Sequence, residues 1–194
     1  MTDISPVPWQ TCTSIAKNSW GYTKNNKFKS AYHVICDLID IVSKNGVMLL
    51  NVGPKPDGTI TDEETAVLNE IGDWLKTNGE GIYDTVPWKT FGEGKVNTKD
   101  GSFKDNKTKK YTEKDFRFTY KDGAVYVFQM KPTHDGVIRI KNFKKITQDA
   151  IVYSVKLLGN HSPIIISRTK KYMELKLMEI PQTTLPLCFK IILE

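Results

Sequence analysis

From residue 31 apolar side chains recur at Ala31, Val34, Ile35, Leu38, Ile39 and Val42, the three-and-four spacing of a helix with one buried face. Ser30 offers a capping hydroxyl before it, and Asn45-Gly46 a left-handed stop behind it. The run Val47-Met48-Leu49-Leu50-Asn51-Val52 then predicts a strand, apolar except for one amide near its end. It leads into the turn-rich Gly53-Pro54-Lys55-Pro56-Asp57-Gly58. Thr61-Asp62-Glu63-Glu64 follows as a capping box, its acids complementing the helix dipole. Val67, Leu68, Ile71, Trp74 and Leu75 form one face of that second helix, which Asn78-Gly79 ends. Before the first helix, "PWQTCTSI" (8–15) predicts a short strand, and the polar stretch 16–29 a loop holding Trp20 and Tyr22. Strand, helix, strand, helix with short returns is the rhythm of a parallel sheet covered on both sides. Strand 47–52 is therefore expected to be wholly buried, with its following loop at the carboxyl end, where such folds place their sites.

The texture changes near residue 90. Residues 92–114 are polar and Lys-rich and read as a loop. Short alternating segments follow at 115–120, 124–130, 136–141, 150–157, 163–167, 172–178 and 187–193. Lys121-Asp122-Gly123, Asp135-Gly136 and Gly159-Asn160 punctuate them. Many short strands without helices between them predict an antiparallel sandwich. The expected organisation is an α/β unit over 1–90, a linker over 91–114 and an all-β domain over 115–194. Two βα units cannot close a barrel, so residues 1–90 are expected to belong to a larger barrel and, alone, to leave apolar surface and strand edges open.

Of 194 residues, 39% are hydrophobic and 26% charged, which suits a globular chain. The net charge of +6 raises nucleic acid as a partner, but the lysines are scattered among Asp, Asn and Glu and no binding motif accompanies them. No apolar stretch is long enough to span a membrane, and "MTDISPVPWQ" has no signal-peptide pattern. Cys12, Cys36 and Cys188 are odd in number and widely spaced, which predicts buried free thiols rather than disulfides or a zinc site.

"PWQTC" and "SWGY" (8–12, 19–22), "LIDIVSKNGVMLLNVGPKPDGTI" (38–60) and "IGDWLKTNGEGIYDTVPW" (71–88) together resemble the C-terminal third of family 29 α-L-fucosidases. "FRFTYKDGAVYVFQM" (116–130) and "VYSVKLLGN" (152–160) extend the likeness into that family's terminal β-sandwich. The resemblance implies the last units of a (β/α)8-type barrel followed by an antiparallel sandwich, and a retaining exo-hydrolase acting on terminal α-L-fucose of glycans. Two carboxyl groups carry that reaction, one as nucleophile and one as acid and base. The family's catalytic Asp and Glu and its sugar-binding histidines lie upstream of the matched motifs, and His33, His134 and His161 match none of them. No catalytic residue, metal ligand or cofactor is therefore assigned, and the chain alone is expected not to hydrolyse.

What the resemblance leaves here is one wall of the pocket. The aromatic of "SWGY", Trp20, resembles the residue that packs on the fucose ring or its methyl group; the plainer alternative is a loop anchor. An indole suits the apolar side of a sugar because it offers a large face with few rotors to freeze. Asn51 either fixes the loop 53–58 or touches substrate, the former favoured because a buried amide must be satisfied and turn backbone is nearest. Asp57-Gly58 reads as turn chemistry. Gln10 stands where relatives often carry Glu, so a charged role there is in doubt. The rival to the enzyme is a carbohydrate-binding or scaffold β-module without catalysis, though Tyr120, Tyr126, Phe128 and Tyr153 alternate as core residues do. Relatives are lysosomal, secreted or periplasmic, and Asn106-Lys107-Thr108 and Asn160-His161-Ser162 fit glycosylation in a secretory route.

Overall fold

A short parallel pair with two helices, and two antiparallel sheets behind them, make up the computed structural model, which describes residues 2–96, 110–141, 143, 151–169 and 171–194. Strand β1 (Trp9–Ser14) leads through the loop 15–30 to helix α1 (Ala31–Val42), strand β2 (Gly46–Asn51) and helix α2 (Asp62–Asn78). β1 and β2 are parallel, with Trp9 opposite Gly46 and Ser14 opposite Asn51. Both predicted N-caps form: the Ser30 hydroxyl accepts from the His33 amide, and that of Thr61 from the Glu64 amide. Asn45 takes the left-handed φ of 70° that lets α1 turn at once into β2.

A single 3-10 turn (Gly79–Gly81) separates α2 from strand β3 (Val86–Glu93). β3 is an element that the sequence pattern did not reveal. It begins ahead of the boundary expected at residue 90 and pairs with β4 (Phe116–Lys121) at the edge of a five-stranded antiparallel sheet, in the order β3-β4-β5-β10-β7. Its Pro87 is tolerated because an edge strand keeps one side free of ladder bonds. β5 (Ala124–Gln129), β7 (Val152–Leu157) and β10 (Leu187–Leu193) complete that sheet. β6 (Val137–Ile140), β8 (Ile164–Arg168) and β9 (Met173–Leu177) form a second antiparallel sheet in the order β6-β9-β8. The antiparallel segments expected after residue 115 are thus present, each within about two residues of its predicted bounds. The greater part of the expected linker, residues 97–109, and the Asn106 glycosylation motif lie outside the described residues.

The five-stranded sheet is covered on both faces. Phe116, Phe118, Val125, Val127 and Phe189 pack against Ile138, Ile140, Met173 and Leu175 of the smaller sheet. From the opposite face Tyr126, Phe128 and Cys188 pack against Ala31, Val34, Ile35, Ile39, Ile71 and Trp74 of the helices. Arg117 lies on this helix-facing side, wholly buried. Its Nε donates to Asp40 Oδ1 at 2.5 Å, Nη1 to the Phe116 carbonyl at 2.9 Å and Nη2 to the Val96 carbonyl at 2.8 Å. Lys44 Nζ takes the other Asp40 oxygen at 2.7 Å, and the Phe91 ring stacks on both cations. Burial pushes the Asp40 carboxyl up, but Arg117 and Lys44 outweigh it and hold the group below its ordinary value. Burial also pulls the Lys44 ammonium down; Asp40 pulls it up without making good the loss, and the neighbouring Arg117 charge adds to the lowering. Removing Asp40 would strand two charges away from water, so this pair and its neighbour tie α1 to the sheet.

The parallel pair departs from expectation. Val47 and Leu49 are 56% and 55% exposed, and their register partners Gln10 and Cys12 are exposed beside them. Only the opposite face of β2, with Met48 and Leu50, meets the helix core. Strand 47–52 is therefore half covered rather than wholly buried: its sheet has two strands among the described residues, and the helices cover one side. For the same reason Cys12 is exposed, whereas Cys36 and Cys188 are buried free thiols as predicted. Tyr153 likewise is 70% exposed, while Tyr126 and Phe128 are core.

Candidate functional site

The carboxyl ends of β1 and β2, at Ser14 and Asn51, lie side by side, and the loops that leave them meet there. Asn51 Nδ2 donates to the Trp20 carbonyl at 2.7 Å and approaches Ser14 Oγ at 3.3 Å. The Ser14 hydroxyl also lies 3.4 Å from the carbonyls of Ser19 and Asn51. The Ile15 amide donates to the Asn51 carbonyl, and Lys29, buried at the far end of the loop, donates from Nζ to Thr13 Oγ1 at 2.5 Å. These bonds pin both ends and the middle of loop 15–30. Its tip projects outward, leaving the Trp20 side chain 49% and Tyr22 37% exposed.

A second contact holds the same tip. A Cβ on Gly53 would lie 2.8 Å from the Gly21 carbonyl carbon and 2.9 Å from the Tyr22 nitrogen, so only glycine lets the two loops touch. The Gly53 amide donates to Glu64 Oε1 at 3.0 Å. Glu64, in the first turn of α2, is 1% exposed, and its other oxygen accepts from the Thr61 hydroxyl at 3.1 Å. The capping box thus departs from its usual form. Its acid bonds the loop after β2 and is more than the dipole complement expected of it. The signal was in the sequence, since Glu64 precedes Val67 by three and Ile71 by seven residues and so shares their buried stripe.

Trp20 and Asn51 come together through main chain and side chain, so the Asn51 amide holds the loop 15–30 and not the loop 53–58 expected of it. Asp57 Oδ1 accepts from both the amide (3.0 Å) and the hydroxyl (2.7 Å) of Thr59. Those bonds hold its carboxyl below the ordinary value, so it is an ionised turn acceptor at neutral pH. Gln10 is exposed in mid-strand on the uncovered face of the pair, its amide 3.8 Å from Cys12 Sγ. His33 pairs with Asp37 on α1 at 3.4 Å, apart from the loops around Trp20. Among the described residues, no three His, Cys, Asp or Glu side chains converge as metal ligands would.

Comparison with known proteins bears on the same stretch. Residues 1–80 match the family described as Alpha-L-fucosidase. Tissue alpha-L-fucosidase of Mus musculus is 30% identical over 187 residues, covering 93% of this chain and 36% of its own length. The Rattus norvegicus tissue enzyme is 33% identical over 139 residues, covering 70% and 26%.

With these relatives beside the family match, the chain belongs to the alpha-L-fucosidase family.

Solved structures extend the likeness to almost the whole fold. A structure described as an alpha-L-fucosidase superposes with a TM-score of 0.75 at 25% identity, covering 98% of this chain and 39% of that one. Thermotoga maritima alpha-fucosidase in complex with fucose gives 0.73 at 26% identity, covering 98% and 40%. The chain therefore spans about a quarter to two fifths of the fucosidases it matches. The family motif stretch contains every residue of the Trp20 site, from Ser14 to Glu64.

Proposed function

We propose that this chain forms one wall of the sugar pocket of a retaining α-L-fucosidase acting on fucosylated glycans, with Trp20 as the surface that meets the fucose. On this reading β1, α1, β2 and α2 continue a (β/α)8-type barrel, whose interior would cover the face bearing Val47 and Leu49. The two antiparallel sheets that share a core are then the terminal sandwich, with β3 joining it from before residue 90. The observation that carries the reading is the indole itself: half exposed, at the carboxyl end of a parallel pair, on a loop held at both ends and in the middle. Such a face binds the C–H side of a sugar without first paying for order in the loop.

Bond cleavage falls to other groups. A retaining glycosidase needs two free carboxyls about 5–5.5 Å apart. Glu64 is committed to Gly53 and Thr61, and Asp57 to Thr59. Neither is assigned to catalysis, and hydrolysis by these 194 residues alone is not expected. The purified chain should release no 4-nitrophenol from 4-nitrophenyl α-L-fucoside. It should nonetheless transfer saturation in NMR to the C6 methyl protons of L-fucose, and less to L-galactose, which carries a hydroxymethyl group there. Trp20→Ala should abolish the transfer. Equal transfer from the Trp20→Ala variant would remove Trp20 from the site, and turnover by the chain would show that carboxyls within it do the chemistry.

A further inference from the structure

Trp20 is held from two directions, and one of them begins in α2. Asn51 grips the Trp20 carbonyl by a 2.7 Å hydrogen bond. The neighbouring peptides, at Gly21 and Tyr22, rest directly on the bare Cα of Gly53. Gly53 is fixed in turn by a charge-assisted bond from its amide to the buried Glu64 carboxylate. The other Glu64 oxygen is locked by Thr61, whose hydroxyl also accepts the Glu64 amide at 3.2 Å. Capping a helix does not require that geometry. A Glu three residues after the cap serves the helix by bonding back to the cap amide, and exposed acids at Asp62 and Glu63 already complement the dipole. Here a carboxyl group is taken out of water and pointed at one loop amide, an arrangement whose desolvation must be offset by bonds to both of its oxygens. Its effect is to immobilise the one backbone position against which the Trp20 loop rests.

We propose that Glu64 is a positioning residue for Trp20: acting through Gly53, it sets where the indole stands in the sugar-binding wall. This rests on the reading of Trp20 as that wall. Without the Glu64 acceptor the Gly53 amide loses its partner and the contact with Gly21 and Tyr22 loosens, leaving the tip to the Asn51 bond and the longer Ser14 contact with the Ser19 carbonyl.

The test is 19F NMR of the 194-residue chain labelled with 5-fluorotryptophan, which reports four sites, Trp9, Trp20, Trp74 and Trp88. Trp20→Phe assigns the Trp20 signal. Glu64→Leu is expected to shift that resonance and broaden it through microsecond-to-millisecond exchange while the other three hold. Glu64→Gln, which keeps an acceptor for Gly53, is expected to restore it. Gly53→Ala leaves Glu64 and the cap intact and should displace the same signal by pushing on Gly21. A Trp20 resonance unmoved in both Glu64→Leu and Gly53→Ala overturns the proposal. So does a Trp20 signal that moves in Glu64→Leu only together with the other three while Gly53→Ala leaves it in place. Adding L-fucose to the unsubstituted chain separates the two ideas. A Trp20 signal that answers Glu64→Leu but not fucose keeps the positioning role and removes the sugar-wall reading.

Discussion

β2 and β5 are both six-residue strands with the composition of a core, yet they sit very differently. Every residue of β5 (Ala124–Gln129) is buried, with Val125 and Val127 facing the smaller sheet and Tyr126 and Phe128 facing the helices. β2 (Gly46–Asn51), with its run of Val, Met, Leu and Leu, buries one side and leaves Val47 and Leu49 more than half exposed. The difference is not in the strands but in what surrounds them. β5 lies at the centre of five strands between two layers, and β2 is one of two strands under a single layer. Apolar composition alone therefore does not say how much cover a strand receives; its neighbours in the fold do.

Substitutions that probe the two strands should therefore differ widely in effect. Phe128→Ala empties a site touched by Trp74 and the underside of Gly81, and should cost about 3–5 kcal/mol in urea unfolding. A loss below 1 kcal/mol would mean that the helices do not press on β5 as described. Asp40→Asn should cost a similar amount, about 3–5 kcal/mol, by leaving Arg117 and Lys44 without their anion. The same carboxyl sets a pH window. Its folded value lies below the ordinary one, so the unfolded chain takes up the proton first as pH falls. Its contribution is full above about pH 4 and drains away as pH drops through the folded value. Unfolding midpoints measured across that range should fall less steeply in Asp40→Asn. Smallest of all is Leu49→Ala, expected to shift stability by less than about 0.5 kcal/mol because its side chain already meets solvent. A larger loss would show that the face is covered in solution.

Much of this was legible in the sequence, and the exceptions share a cause. The caps at Ser30 and Thr61, the left-handed Asn45 and the run of strands after residue 115 are local signals, and each formed where its residues stand. Trp20 and Asn51 were singled out and meet through the Trp20 carbonyl. What escaped depends on distant partners. Arg117 alternates with Phe116 and Phe118 and so reads as the wet side of a strand. Its partner Asp40 lies 77 residues earlier, and helices cover the side that alternation marks as exposed. The position of Glu64 on the buried stripe of α2 could be read, but its bond to Gly53, 11 residues before it, could not. β3 hides behind Pro87 and a register irregularity, both of which weaken the strand pattern.

The turn Gly79–Gly81 has a bearing on how such a chain changes over generations. Gly81 lies so close to β5 and β10 that a Cβ would come within 2.8 Å of Phe128 and 2.9 Å of Cys188. The polypeptide crosses from helix to sheet in the residues 82–85 alone. A recombination joint placed here would sever the parallel pair and its helices from the sheet that supports α1 and α2, and would part Asp40 from Arg117 in the same stroke. The helices and the antiparallel sheets share one core and one ion pair, so they are inherited together or lost together.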